Sequence, residues 1–182
     1  ALIQFYYEVE NLFYKLIPSK KENTILFIKI DAIGDFVIWM DVADSLKKAY
    51  PEYKISIIIN KVCLEIAKST NYFDEIICID KSKWLRNIFY RNRFIKSFSK
   101  RQLFQVINPI YSRDYFFQDQ LVRIIKSKIK IGYNSDYFNN KNTLRGFIKN
   151  ENTLNKINNW HFSKGNSFYS QLIEKEHNHI ME

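Results

Sequence analysis

Glycine is scarce in this chain, with four in 182 residues, at positions 34, 132, 146 and 165. That excludes the Gly-x-Gly-x-x-Gly turn of dinucleotide-binding folds and the Gly-x-x-x-x-Gly-Lys-Ser/Thr loop of P-loop NTPases, which use glycine to bring backbone N–H groups up to phosphate. Cysteine is nearly absent too. Cys63 falls in a helical pattern and Cys78 in a strand pattern, so neither a disulfide framework nor a zinc site is expected and both read as packing residues. No apolar run reaches the roughly eighteen residues that a membrane span needs. The first stretch carries Glu8 and Glu10 among apolar residues, without a basic leader or a small-residue cleavage site, which predicts a cytoplasmic protein. The chain begins with Ala rather than Met, as a processed chain would.

What is abundant is positive charge: 28 Lys and Arg against 19 Asp and Glu, a formal net charge of +9. Such a surplus suits an anionic partner, whether nucleic acid, a phosphorylated glycolipid or an anionic membrane, and equally suits a lysine-rich solvated surface. The length fits one well-buried domain and is short for two α/β domains.

Residues 1–16 place Leu2, Phe5, Tyr6, Val9, Leu12, Phe13 and Leu16 at helical spacing before Pro18, which predicts an amphipathic leading helix. A polar link follows, then Ile25 to Ile30, a β-branched run that reads as a buried parallel strand. Trp39, Val42, Ala43, Leu46 and Ala49 predict a helix ending before Pro51. Strands are expected at Lys54 to Ile59, Glu75 to Ile79, Phe104 to Ile107 and Lys128 to Ile131, with helices near Val62 to Lys68 and Phe117 to Ile125. The alternation predicts an α/β fold, a Rossmann-like parallel sheet with flanking helices. Tyr133 to Gly146 reads as an aperiodic loop and Ser167 to Glu176 as a terminal helix. The organisation expected is a leading helix and link over 1–22, a Rossmann-like domain over 23–165, and a terminal helix and tail over 166–182.

In such a sheet, ligands sit beyond the carboxyl ends of the strands, and Asp31-Ala-Ile-Gly-Asp35 occupies that place after the first strand. The turn offers two carboxylates near a helix N-terminus, where the dipole favours their ionised form. Either carboxylate caps the helix, a routine task for Asp there, or one of them is a general base in the cleft.

The segment Ile25 to Asp35, the helix ending Lys47-Lys-Ala-Tyr-Pro51, and the later Lys54 to Ile59, Asn71 to Ile77 and Lys128 to Tyr133 together resemble glycosyltransferase family 9, the ADP-heptose:lipopolysaccharide heptosyltransferases. The resemblance spans residues 24–133. It implies the N-terminal, acceptor-side half of a GT-B glycosyltransferase, inverting and metal-independent, with Asp35 as the base that deprotonates the acceptor hydroxyl. It also implies that the nucleotide sugar, an ADP-sugar, sits on a C-terminal domain of which nothing after Gly132 is reminiscent, so the chain alone is expected to be inactive. Gly34 would let the acceptor approach the backbone, and Asp31 stands where the best-known members have a small hydroxyl residue, which bears on acceptor identity. Lys61, Tyr111, Ser112 and Arg113 fall in loops expected to rim the same cleft and hold acceptor phosphates.

Between Lys83 and Arg101 there are seven Lys or Arg, five aromatics and no acid. As one helix this stretch would set Trp84 on an apolar side and Arg86, Arg93 and Lys100 on another, to meet acceptor phosphates or an anionic inner-membrane surface as a peripheral protein, or simply to pack with a solvated cationic face. It also supports an alternative, a non-catalytic basic Rossmann-like module that binds an anionic membrane or nucleic acid; no specific nucleic-acid signature is present. His161, His177 and His179 suggest no metal site.

Overall fold

The computed structural model describes residues 2–134 and 138–174. In chain order the elements are α1 (Leu2–Leu16), β1 (Lys20–Lys29), α2 (Ile33–Ala49), β2 (Lys54–Asn60), α3 (Leu64–Lys68), β3 (Glu75–Ile79), α4 (Lys81–Arg86), α5 (Ile88–Ser99), β4 (Arg101–Asn108), α6 (Gln120–Ile124), β5 (Lys126–Tyr133), α7 (Phe138–Arg145), α8 (Glu151–Asn166) and β6 (Gln171–Ile173). The six strands form one parallel sheet in the order β3-β2-β1-β4-β5-β6. This is the Rossmann-like α/β fold that the alternation of strands and helices implies.

Central β1 is apolar on both faces because both are covered. Ile25 and Phe27 pack with Phe36, Met40, Ile55, Ile57 and Cys63 under α2 and α3. Leu26, Ile28 and Ile30 pack with Trp84, Ile95, Phe98, Leu121 and Val122 under α4, α5 and α6. Each such residue removed from water stabilises the fold by roughly 1.5–3 kcal/mol before the entropy of ordering it is counted.

Besides α8, which was not anticipated from the sequence, four stretches differ from the reading of the sequence. The polar link is strand: Lys20 N–H donates to the Lys100 carbonyl at 2.8 Å, and Lys20 to Glu22 pair with Arg101 to Leu103. Its charge is matched there, since Arg101 bonds both Glu22 and Glu75. The basic segment is two helices rather than one, because Asn87 adopts extended backbone and caps α5 by accepting from Tyr90 N–H at 2.9 Å. Residues 138–145 form α7, where a loop was expected. The stretch from Ser167 carries β6 rather than a helix: Ser170 both donates N–H to the Lys130 carbonyl and accepts Lys130 N–H on its hydroxyl, which draws the segment onto the edge of β5. The tail with His177 and His179 lies outside the described residues.

Helix α1 forms as its periodicity demands, but its rotation is set by charge. Glu10 and Arg91 make a buried two-pronged ion pair with a shortest contact of 2.5 Å, and the Arg91 guanidinium lies 4.1 Å from the Tyr7 ring and 4.3 Å from the Trp84 ring. Tyr7, Glu10 and Asn11 therefore face the body, leaving Phe5, Val9, Leu12, Phe13 and Leu16 between 50% and 77% exposed. Among the described residues no helix is long and apolar enough to cross a membrane.

Candidate functional site

Strand order reverses between β1 and β4, and the loops leaving their carboxyl ends diverge there to open a crevice. A cavity of about 490 Å3 occupies it. One wall is the end of β1 and the first turns of α2, with Lys29, Asp31, Asp35, Ile38, Trp39 and Val42; the other is the loop after β4, from Pro109 to Ser112. The volume is within the range of small-ligand sites, and the walls mix an apolar side with a few polar groups.

The two carboxylates have different surroundings. Asp31 pairs with Lys29, whose side chain is nearly buried at the end of β1, so its charge is neutralised inside the site. Asp35 sits in the first turn of α2, exposed to solvent, and makes no hydrogen bond or ion pair among the described residues. Neither caps the helix. The N-cap is Ala32, in extended backbone, with no side-chain capping bond. Asp35 is thus an exposed carboxylate in the lining of the crevice, in the first turn of α2.

Trp39 gives the wall its rigidity. Its ring stacks on Phe73 at 6.3 Å and 3° and lies 5.5 Å from Phe27. Ile38 and Val42 are exposed beside it and form an apolar strip along the cleft. Helical spacing counts Trp39 and Val42 as core and passes over Ile38, so none was singled out from sequence for the site; only the sheet order shows that this flank of α2 borders the crevice.

Tyr111 and Ser112 line the cleft opposite Asp35, as expected. Arg113 does not. It is fully buried, bonds Asp119 at 3.1 Å and Asn166, and lies 4.4 Å from the Tyr169 ring. The Tyr169 hydroxyl donates to Asp119 at 2.7 Å and accepts from Asn108 at 2.8 Å, and burial followed by the Asp119 charge pushes its pKa well above the usual phenol range. Asn108 also accepts Ile110 N–H at 3.3 Å. Arg113 thus belongs to a buried network behind the loop and not to the cleft wall. Lys61 is exposed at the end of β2 but does not line this cavity. Gly34 has no atom within 4 Å of where a Cβ would stand, so no packing constraint within the chain requires glycine there.

The basic segment is also rearranged. Trp84 is 2% exposed and donates its indole N–H to the Phe116 carbonyl at 3.1 Å, so it belongs to the core and not to a surface that meets anions or lipid. Arg86, Arg93 and Lys100 are exposed. His161 stacks on Tyr115 at 4.3 Å, and burial lowers its pKa to about 4.

No family model matches the chain. It is 30% identical over 81 residues to a 3-isopropylmalate dehydrogenase of Buchnera aphidicola subsp. Diuraphis noxia, covering 41% of this chain and 22% of that enzyme. The corresponding enzyme of Buchnera aphidicola subsp. Schizaphis graminum (strain Sg) is 26% identical over 81 residues, again 41% and 22% of the two chains. The chain thus spans about a fifth of the length of these curated relatives. Among solved structures it is similar to a glycosyl transferase family 9 protein from Veillonella parvula DSM 2008, with a TM-score of 0.53 and 19% identity, covering 72% of this chain and 36% of that one. At this identity the likeness is one of fold.

Proposed function

We propose that this chain is the acceptor-side half of a glycosyltransferase, with Asp35 as general base. The observation that carries the reading is a carboxylate without a partner among the described residues, on the rim of a cleft of about 490 Å3 at the β1/β4 crossover, in a fold shared with a glycosyl transferase family 9 structure. The likeness to 3-isopropylmalate dehydrogenases covers 41% of this chain and 22% of that enzyme, too short a stretch to carry an oxidoreductase activity over.

The acceptor hydroxyl lies against Asp35. As its oxygen bonds to the anomeric carbon, the bond from that carbon to the nucleotide diphosphate breaks on the opposite face and the proton passes to the Asp35 carboxylate, which inverts the anomeric centre without a metal. The donor, by default ADP-heptose, is held by a second domain facing this crevice. The Ile38 and Val42 strip and the Tyr111 to Ser112 loop hold the acceptor, a phosphorylated core oligosaccharide or glycolipid of lipopolysaccharide type. The protein works on the cytoplasmic side, at the surface that presents this lipid. The single aromatic and basic helix on which the nucleic-acid reading rested is not formed, since the segment breaks at Asn87 and Trp84 is in the core.

Titrating the labelled chain with a phosphorylated, truncated lipopolysaccharide oligosaccharide tests this reading by NMR. Saturable shifts confined to residues 31–42 and 109–112, lost in Ile38→Glu, are expected. Shifts elsewhere only, or tight sequence-independent RNA binding without cleft shifts, would contradict it.

A further inference from the structure

The apolar stripe of α1 faces outward, and the position of charge around it identifies what covers it. Both carboxylates on the helix are already paired, Glu8 with Arg123 and Lys164 and Glu10 with Arg91. Lys15 has no partner among the described residues and stands between Leu12 and Leu16. Beside it lies a hollow of about 340 Å3 lined by Lys15, Arg123, Lys130 and Lys164, with Glu8 as its one carboxylate. An adjoining hollow shares Lys15, Arg123 and Lys130, and Leu16 lines it as well, so the apolar stripe and the cation cluster meet at the same edge.

The cluster holds more positive charge than the chain balances. Arg123 is 7% exposed, and its Nη1 has no hydrogen-bond partner among the described residues. Lys130 donates to the Val122 and Arg123 carbonyls at the end of α6, and burial, then Lys15 and Arg123, push its pKa down to about 7. A bound anion would relieve that repulsion. The neighbouring surface has the same sign: α5 packs on α1 through the Tyr6 to Asn92 bond at 2.9 Å, exposes Ile88 and Phe89, and carries Arg93 and Lys96 in a stretch, 81–113, without a single acid.

We propose that α1 is a membrane seat, its Phe5, Val9, Leu12, Phe13 and Leu16 stripe lying among the acyl chains of an anionic bilayer while a lipid phosphate enters the Lys15, Arg123, Lys130 and Lys164 cluster. A second copy of the chain would bring a like-charged rim against this one, whereas an anionic bilayer matches both the apolar stripe and the cations around it. This places membrane contact on α1 rather than on Trp84. It rests on the peripheral location proposed above, but its test uses no sugar transfer, so either reading can fail alone.

The test is co-sedimentation of the full chain with phosphatidylcholine vesicles, with and without phosphatidylglycerol. Sedimentation with the phosphatidylglycerol vesicles is expected, weakened about tenfold or more by Leu12→Glu with Phe13→Glu and, separately, by Lys15→Glu with Lys164→Glu. These side chains are exposed or partly exposed, and circular dichroism checks that the variants stay folded. Binding that survives both changes, or wild-type chain left in the supernatant, would overturn the proposal. So would a dimer in solution that Leu12→Glu with Phe13→Glu dissociates, or Lys15 and Lys164 resonances that shift with inorganic phosphate while vesicles bind nothing.

Discussion

Gly132 is a glycine on which packing depends. A Cβ there would stand 2.4 Å from one ring carbon of Tyr169 and 2.8 Å from the next, and that ring cannot swing away because its hydroxyl is held by Asp119 and Asn108. Gly132→Ala is expected to destabilise the fold by about 1–3 kcal/mol in urea unfolding, the usual range for overpacking, and to perturb the Tyr111 loop through Asn108. Unchanged stability would mean that the ring is not fixed. At this scale the sequence is informative where neighbours along the chain decide the outcome. Asp31 and Asp35 were legible because a strand, a turn and a helix follow one another directly. Arg113 was not, because its burial depends on Asn166, 53 residues later.

Among the elements, α1 and α8 show where periodicity falls short. In α1 the spacing of apolar residues correctly marks a helix, yet one buried ion pair, Glu10 with Arg91, turns that stripe to solvent. No periodicity encodes a partner 81 residues away. Helix α8 was not anticipated because it buries little apolar surface, chiefly Leu154, while His161 packs inward against Tyr115. That histidine makes stability depend on pH. Its pKa is 6.5 when exposed and about 4 in the fold, so the unfolded chain takes up the proton first. The stability is present in full above pH 6.5 and is lost progressively as pH falls to about 4, by an expected 1–3 kcal/mol or so. Urea unfolding at pH 7.5 and 4.5 should show this loss in the wild-type chain and a smaller one in His161→Gln; equal losses would remove His161 as its source.

For the whole molecule, the sheet order turns scattered residues into one site. The alternation of strands and helices made the α/β class and the place of the Asp31 to Asp35 turn legible, because parallel strands joined by helices put their carboxyl ends on one side. The facing wall was legible only as a loop after a later strand. That β4 pairs with β1, and so brings Tyr111 and Ser112 opposite Asp35 while leaving Lys61 aside, is a non-local outcome of the strand order. The crevice and the two hollows beside α1 have no lining residue in common, so the two proposed contacts use different side chains.

The most direct measurement is turnover by the full gene product and its Asp35→Asn variant, with ADP-heptose and a phosphorylated, truncated lipopolysaccharide acceptor. Asn keeps the shape and removes the base, so kcat is expected to fall by about two orders of magnitude or more while folding and acceptor binding persist. Turnover by the variant within a few-fold of wild type would contradict a role for Asp35 as base, and with it the account of the cleft as an acceptor site.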